Sequence, residues 1–277
     1  MTAFIRNWPL LSFYVLAYAF TWVFVVPVTL GERGIVSWRL PHQLEYIAAF
    51  GPFVAAMLVA RACYGRAGPA TILSSLTRVR APLGWWSFAL LSPFLLLVIA
   101  YLLVWLFAGT VPEADEGRLA ELLTTAGLFD LIIITGVIQG WGEEPGWRGW
   151  AIPLLRERRG SLAATLLLFP VWLFWHLPFF LGRPEFGWPQ FAGFSVGILS
   201  AAIWLTLIYD ATRNLLLAVV WHAFVNIARG MAQAFSMAVF LAMSNAVLVG
   251  AVLIIIYWLI KRPGPTSGSG FRQGTQV

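Results

Sequence analysis

The chain has 277 residues, of which 60% are hydrophobic and 11% are charged, and its mean hydropathy is +0.81. Soluble domains carry about 25% charged residues, so 18 basic and 12 acidic side chains are too few to cover a soluble globule of this length. The composition excludes a soluble domain and a disordered chain, and it indicates a polytopic membrane protein. The net charge of +6 fits basic cytoplasmic loops, so no nucleic-acid partner is expected.

Eight transmembrane helices are predicted, because about 20 apolar residues cross about 30 Å of hydrocarbon. In chain order they lie near residues 7–31, 43–61, 81–112, 124–144, 160–182, 186–209, 213–232 and 230–260. The predicted fold is all-α, a single transmembrane domain over residues 1–262 with a membrane-embedded polar cavity. The tail, residues 263–277, is predicted to be disordered. Fifteen tryptophans suit anchoring at the membrane surfaces.

The basic residues predict the orientation of the bundle. If the N-terminus is cytoplasmic and each span crosses, the inner segments hold most of the basic residues, namely Arg6, Arg61, Arg66, Arg78, Arg80, Arg148, Arg156, Arg158, Arg159, Arg213, Lys261, Arg262 and Arg272. The outer side keeps Arg33, Arg39, Arg118, Arg183 and Arg229. The positive-inside rule therefore predicts an integral protein of the plasma (inner) membrane with both termini in the cytoplasm. Many transporters have internal repeats, and none is evident here.

The first polar cluster lies at the inner end of the fourth predicted span, between Trp141 and Trp150. Glu143 and Glu144 point about 100° apart on a helix. Glu144 pairs with Arg148 at i,i+4 spacing, which leaves Glu143 facing elsewhere and free for chemistry. The Pro-Gly pair that follows predicts a kink or a re-entrant bend that lines a cavity. The alternative is an interfacial cap without chemistry.

Two further clusters are polar side chains within apolar spans, which are functional candidates because they are costly there. His176 lies in the fifth predicted span, one turn after Trp172. In the seventh span, His222 and Asn226 share a helix face at i,i+4. The alternatives are a histidine bonded to a backbone carbonyl and hydrogen bonds that only join helices. His42, the remaining histidine, is expected to be solvated in an outer loop.

Convergence of these groups on one cavity would form a hydrolytic site. A water that attacks an amide carbonyl needs a base and hydrogen-bond donors for the developing oxyanion. Glu143 can be the base, and His176 can orient the water and pass a proton to the leaving amine. His222 and Asn226 can supply the donors.

The three motifs resemble those of the CAAX-protease and bacteriocin-processing (CPBP, or ABI) family of intramembrane endopeptidases. The family pattern is Glu-Glu-x-x-x-Arg, Phe-x-x-x-His and His-x-x-x-Asn or Asp. The first motif is complete in Glu143–Arg148 and the third in His222–Asn226. In the second, Trp172 stands where Phe is usual, before His176, and we expect its packing role to persist. The resemblance covers about residues 120–230.

The resemblance implies an eight-helix bundle whose cavity opens to the cytoplasm, and glutamate-dependent peptide hydrolysis. We expect this hydrolysis to be metal-free, because Asn226 is a poor zinc ligand and is better explained as a hydrogen-bond donor. It implies that Glu143 and His176 activate water and that His222 and Asn226 form the oxyanion hole. Glu144, Arg148 and Trp172 would support the site. The implied partners are membrane lipids and a peptide or membrane-anchored protein, with a prenylated CAAX protein as one case. The oligomeric state is not predicted.

Three alternatives remain. In a zinc-dependent version of the same protease, Glu143, His176 and His222 would be the ligands. A presenilin-like aspartyl pair is only faintly suggested by Asp130 and Asp210. A non-enzymatic membrane scaffold or immunity protein would use the motif residues only to stabilise the bundle. The site-2 zinc class and rhomboids are disfavoured because their motifs are absent from the spans.

Overall fold

The computed structural model describes residues 2–183 and 186–266. In that part of the chain the regular structure is helical throughout, with no strand. The α-helices are α1 (Thr2–Asn7), α2 (Pro9–Glu32), α3 (Leu44–Ala48), α4 (Gly51–Tyr64), α5 (Ala67–Leu76), α6 (Leu83–Ala108), α7 (Glu116–Leu122), α8 (Thr125–Phe129), α9 (Gln139–Gly146), α10 (Ile152–Arg156), α11 (Ser161–Trp175), α12 (Leu177–Leu181), α13 (Trp188–Thr212), α14 (Leu215–Phe235) and α15 (Met237–Lys261). Two π-helical segments, Asp130–Ile138 and Trp147–Ala151, flank α9.

Seven stretches of the described residues are long and apolar enough to cross a membrane, which confirms an all-α polytopic membrane protein. They are Pro9–Glu32, Leu44–Tyr64, Leu83–Ala108, Thr125–Arg156, Trp188–Thr212, Leu215–Phe235 and Met237–Lys261. The continuous span predicted at 160–182 is wrong, because that segment is divided at His176 into α11 and α12.

Side chains of α2 satisfy the backbone where α11 gives way to α12. The indole N–H of Trp22 donates to the carbonyl of Trp175 at 3.2 Å, and the Thr29 hydroxyl donates to the carbonyl of Pro178 at 2.7 Å. Pro178 stands in the first turn of α12, where its missing N–H costs least. These bonds make an interrupted helix tolerable in the bilayer, where no water is available to pair with free carbonyl groups.

The re-entrant bend predicted as one alternative at Pro145 is also wrong, because helical backbone runs from Thr125 to Arg156 without an end. The predicted kink at Pro145 stays a prediction. Pro145 lies inside α9, and the π-helical turn that follows it, Trp147–Ala151, has a different hydrogen-bond register. Such wide turns occur mostly as short insertions near functional sites. The two π-helical segments of this protein lie on either side of α9, the helix that carries Glu143 and Glu144.

Two glycines let α9 approach the neighbouring backbone closely. A Cβ at Gly142 would lie 2.4 Å from the carbonyl oxygen of Ala49, and a Cβ at Gly146 would lie 2.6 Å from that of Pro52. The i,i+4 spacing of these glycines forms the small-residue stripe that allows tight helix contacts in membranes. The stripe fixes the depth and rotation of Glu143 and Glu144.

Tryptophan has two roles in the bundle. Trp8 and Trp188 are exposed, as expected for anchors at the membrane surface. Several others belong instead to the largest fully buried side chains, so anchoring accounts for only part of the tryptophan content. These are Trp147, Trp150, Trp172, Trp175 and Trp221.

The two ends of the bundle differ in charge. At the arginine-rich end, defined by Arg6, Arg61, Arg66, Arg78, Arg156 and Arg213, contacts include Arg6 with the carbonyl of Ala62 and Arg78 with that of Arg213. At the acidic end, defined by Glu32, Glu45, Asp115, Glu116 and Asp130, contacts join Glu32 to His42 and Tyr46 to Asp130.

The start of the predicted tail contacts the arginine-rich end. The backbone N–H of Thr266 donates to the carbonyl of Arg156, and the Arg156 guanidinium donates to the carbonyl of Gly264. Residues 267–277, for which disorder was predicted, lie outside the described residues.

Substitution of Gly142 by Ala tests the close contact of α9. Because the added Cβ would meet a backbone oxygen, we expect overpacking to lower the free energy of unfolding by roughly 1–3 kcal/mol. The midpoint of thermal unfolding in detergent should therefore fall. Gly193→Ala in α13 is the matched control, since nothing lies within 4 Å of its Cβ position. An unchanged midpoint for Gly142→Ala would show that the contact is not tight.

Candidate active site

A cavity of about 300 Å³ enters the bundle from the acidic end and reaches its polar centre. Exposed residues at its mouth are His42, Asp130 and Arg183. Its inner wall carries the polar groups predicted from the sequence, Glu143, His176, His222 and Asn226, together with Trp172. The structure therefore brings the three motifs together on one cavity.

Glu143 faces the cavity from α9. Its side chain is 4% exposed, and its Oε2 accepts a hydrogen bond of 2.7 Å from the indole N–H of Trp172. The Nε2 of His176 lies 3.9 Å from the same oxygen. The tryptophan that replaces the usual phenylalanine of the second motif thus contributes a hydrogen bond that phenylalanine lacks.

Glu144 faces away from Glu143 and joins a buried ionic group. Its Oε1 accepts hydrogen bonds from Nη1 of Arg148 at 3.0 Å and from Nδ1 of His222 at 2.7 Å. The i,i+4 pair of Glu144 and Arg148 is thus formed as predicted, with both side chains fully buried. The Arg148 guanidinium also lies 4.3 Å from the ring centroid of Trp172, a cation–π contact.

His176 is held by its own helix end. Its Nδ1 lies 2.8 Å from the carbonyl of Trp172, so this nitrogen carries the proton and donates it. The lone pair of Nε2 is then directed toward Glu143. The rings of Trp175 and Phe194 lie edge-on to the imidazole, at 4.7 and 5.2 Å between centroids, and restrain its rotation.

Asn226 is held by the fourth span. Its amide nitrogen donates to the carbonyl of Thr135 at 3.2 Å and to Oε1 of Gln139 at 2.9 Å. Gln139 also lines the cavity, one turn before Glu143, and was missed in the sequence. The sequence did contain a signal for Gln139, because it is a polar side chain in an apolar stretch, four residues before the candidate base Glu143.

Among the described residues, one set of three ligand-type side chains has its ligand atoms within 4.8 Å of one another, namely Glu32, His42 and Glu45 at the cavity mouth. The His42 side chain is 54% exposed, as expected, but its two nitrogens lie 3.4 and 3.3 Å from the carboxylates of Glu32 and Glu45. Opposite ring nitrogens diverge, so this arrangement fits one imidazole ring that faces two carboxylates better than one bound ion. The suggested zinc ligands do not form such a set among the described residues.

The suggested aspartyl pair is not assembled. Asp130 lies at the acidic end, where it faces the Tyr46 hydroxyl at 3.5 Å. Asp210 lies at the opposite end, where it pairs with Arg156 at 3.0 Å and accepts a hydrogen bond of 2.5 Å from Ser161. Two carboxylates at opposite ends of a bundle do not share a substrate, so this alternative is excluded.

Comparison with known proteins agrees with the motifs. The family model described as type II CAAX prenyl endopeptidase Rce1-like matches residues 125–228. This match confirms the resemblance that the sequence motifs indicated, and it supports an intramembrane endopeptidase of the CAAX type. No curated protein matches the chain.

The adjacent glutamates are expected to respond differently to the same substitution. Glu144→Gln removes the charge that pairs with Arg148 and should destabilise the fold by about 3–5 kcal/mol, the cost of breaking a buried ion pair. Glu143→Gln retains an acceptor for the Trp172 N–H and should change the stability little. Thermal unfolding of both variants in the same detergent measures the difference. Equal shifts would contradict the assignment of Glu144 to the fold and Glu143 to the cavity.

Proposed function

From the family match over residues 125–228 and the geometry of the cavity, we propose that this chain is a metal-free, glutamate-dependent intramembrane endopeptidase. Its substrate is a peptide or protein held at the membrane, with prenylated CAAX-type proteins as one candidate class. The observation that carries this proposal is the facing pair of acceptors, Oε2 of Glu143 and Nε2 of His176, 3.9 Å apart beside the cavity.

The separation of this pair suits a bridging water. It is too long for a direct hydrogen bond, and polar atoms at such distances are commonly joined by water. Since both groups are acceptors, they would accept hydrogen bonds from the two O–H groups of one water and leave a lone pair of its oxygen free to attack a carbonyl carbon. Glu143 takes a proton as the water oxygen bonds to that carbon. The C–N bond then breaks, and the proton passes to the leaving amine, through His176 or directly.

The oxyanion donors are the groups across the cavity. Because Nδ1 of His222 bonds to Glu144, an Nε2–H exists only in the doubly protonated ring, with which the carboxylate of Glu144 pairs. The amide N–H groups of Asn226 are bonded to Thr135 and Gln139 in this structure. Asn226 therefore donates to the oxyanion only after exchanging one partner, and the amide of Gln139 is an additional donor.

The supporting residues form one chain of contacts. Glu144 holds Arg148, whose guanidinium lies on the face of Trp172, and the indole N–H of Trp172 holds Glu143. A change at Glu144 can thus reach the catalytic carboxylate through two intervening side chains. We propose that this chain of contacts orients Glu143.

The zinc-dependent version has weaker support. A zinc ion requires its ligand atoms about 2 Å from itself, and Glu143, His176 and His222 are not gathered to that degree among the described residues. Bound zinc would supply a Lewis acid and a nucleophilic water, and the same three residues would have to move toward it.

The distribution of charge predicts the side of the membrane on which the cavity opens. The positive-inside rule places the arginine-rich end, with both termini, in the cytoplasm. The cavity then opens at the acidic end, on the non-cytoplasmic side. This differs from the cytoplasmic opening that the family resemblance implied.

Glu143→Gln tests the proposed activity. Loss of a general base typically lowers the rate by about 10²- to 10⁴-fold, so peptides whose new termini form in wild-type membranes should be absent from membranes with the variant. Quantitative proteomics of membrane-protein termini measures this, with Glu121→Gln, an exposed glutamate of α7, as the matched control. Identical fragments in the two samples would refute the protease and favour the scaffold.

Treatment with a chelator separates the two mechanisms. The purified wild-type protein in lipid vesicles should cleave the substrates found above at an unchanged rate after exhaustive chelation. Activity that is lost on chelation and restored by zinc would instead establish the zinc-dependent version.

Cysteine labelling tests the orientation. After replacing the native Cys63 by Ala, we place a cysteine at Gln43, beside the cavity mouth, or at Ser74, in α5 at the arginine-rich end. A membrane-impermeant maleimide should label Gln43→Cys in intact spheroplasts and label Ser74→Cys only after permeabilisation. The reverse pattern would place the cavity mouth in the cytoplasm.

A further inference from the structure

A second cavity lies between the helices and is separate from the catalytic cavity. It has a volume of about 420 Å³ and is lined by side chains of α6, α7, α14, α15 and the π-helical segment Asp130–Ile138. Among the described residues that line it, only Tyr101 carries a polar side-chain atom, and none also lines the catalytic cavity. The proposed catalytic arrangement leaves this cavity unused.

The second cavity is closed at its inner end and open toward the bilayer. Leu131 and Val239 at the inner end are 7% and 1% exposed, whereas Val98 and Ile132 are 53% and 44% exposed. Helices α6, α14 and α15 are long and apolar enough to cross the membrane. The opening between them therefore faces hydrocarbon and not water.

Helix α7 covers the second cavity at the acidic end of the bundle. Leu119 and Leu122 on its inner face line the cavity, and Arg118 on its outer face is exposed. The backbone N–H of Asp115, which caps α7, donates to the carbonyl of Phe235 at 2.7 Å and joins the start of α7 to the end of α14. A helix with one apolar and one charged face lies along the membrane surface. The cavity therefore begins at the level of the lipid head groups.

The chemistry of the walls selects a hydrocarbon occupant. Apolar cavities stay free of water and bind apolar molecules. A peptide segment would bring backbone N–H and C=O groups that these walls cannot pair, and unpaired groups are costly in the bilayer. A methylene group is close in size to a water molecule, about 30 Å³, so the cavity holds roughly 14 of them. This is close to the size of a phospholipid acyl chain.

The charge beside the second cavity favours a phospholipid over an uncharged lipid. Arg118 directly precedes the lining residue Leu119, and its Nε lies 3.3 Å from the Asp115 carboxylate. Both side chains of this ion pair are about half exposed, and exposed ion pairs are weak. Arg118 can therefore exchange Asp115 for a phosphate, to which guanidinium binds well. Phospholipids are also the most abundant hydrocarbon chains around a membrane protein, so mass action favours them.

The second cavity shares a wall with the catalytic cavity. This wall is the π-helical segment, which carries Leu131 toward the second cavity and Thr135 toward the catalytic one. The carbonyl of Thr135 accepts a hydrogen bond from Asn226. The next residue, Ile227, lines the second cavity, and its Cδ1 would lie 2.8 Å from a Cβ at Gly136. An occupant of the second cavity therefore packs against the wall that holds Asn226.

We propose that the second cavity binds one acyl chain of a phospholipid from the surrounding leaflet, with the phosphate beside Arg118. The bound chain fills the space between α6, α14 and the shared wall and so stabilises the folded bundle. Binding requires no catalysis, so this inference goes beyond the proposed endopeptidase function and does not rest on it.

Photolabelling from vesicles gives the first test. The purified protein is placed in phosphatidylcholine vesicles with a small fraction of phosphatidylglycerol that carries a diazirine near the end of one acyl chain. Mass spectrometry should find the adducts concentrated on the inner end of the cavity, at Leu131 and Val239. Labelling spread evenly over lipid-facing residues such as Leu253 and Ile256 of α15 would overturn the proposal.

Substitutions that fill the second cavity give the matched comparison. Val98→Trp should lose most of the labelling at the inner end because the indole occupies the open side. Leu91→Trp is the control, since Leu91 is an exposed residue of the same helix outside the cavity. Undiminished labelling in Val98→Trp would contradict a bound chain. If Val98→Trp does not fold, Met231→Trp on α14 fills the same space, and the wild-type labelling pattern still decides the matter.

The head group is tested with a diacylglycerol that carries the same labelled chain without the phosphate. Wild type should be labelled several-fold more by the phospholipid than by the diacylglycerol, and Arg118→Gln should lose that difference. Arg39→Gln, at an exposed arginine between α2 and α3, should retain it. Equal labelling by the two lipids in wild type would overturn the role of the phosphate. Complete displacement of the phospholipid by an equimolar farnesylated peptide would assign the cavity to an isoprenoid and overturn the proposal.

Thermal unfolding measures the effect of the bound chain on the fold. A ligand that binds only the folded state raises the unfolding midpoint. Added phosphatidylglycerol should therefore raise the midpoint of the wild type and of Leu91→Trp in detergent, and should raise that of Val98→Trp less. Equal rises in all three proteins would show that the lipid acts outside the cavity and would contradict the proposal.

Discussion

The Glu144 carboxylate and the Arg148 guanidinium are buried side by side without contact to water. The free energy lost by this desolvation must be offset by contacts from the surrounding helices, and this requirement constrains where those helices lie. A buried ion pair is tolerated only when the geometry is good and further hydrogen bonds are made. His222 supplies one such bond from α14, and Trp172 covers the guanidinium with its ring face. Helix α9 must therefore lie deep between its neighbours, and Gly142 permits that close approach.

This constraint separates two glutamates that are adjacent in the chain. Since side chains one residue apart point about 100° apart on a helix, only one carboxylate can join the ionic group. Glu144 does so, and Glu143 faces the cavity, where it accepts a hydrogen bond from the indole N–H of Trp172 and lies 3.9 Å from the imidazole of His176. The fold thus isolates a carboxylate beside a space large enough for a peptide segment. The same ionic group holds His222 across from it.

Much of this arrangement follows from local rules that the sequence exposes. Helical periodicity predicted the pair of Glu144 with Arg148 and the shared face of His222 with Asn226. The break at His176 was not predictable, because it depends on α2 side chains that lie far away in the chain and satisfy the open backbone. The continuous helix through Pro145 depends likewise on local π-helical geometry. Gln139 was missed because its role depends on a hydrogen bond with Asn226, which is distant in the chain and becomes a neighbour only in the folded bundle.

In the proposed mechanism, Glu143 and His176 act on one shared water. A double-mutant cycle tests it most directly, with the hydrolysis rate measured for wild type, Glu143→Gln, His176→Ala and the double variant in lipid vesicles. Groups that act as a unit are strongly non-additive. If the two residues share the water, the double variant should be about as slow as the slower single variant. Rate losses that multiply would show that the two residues act independently and would contradict a shared water.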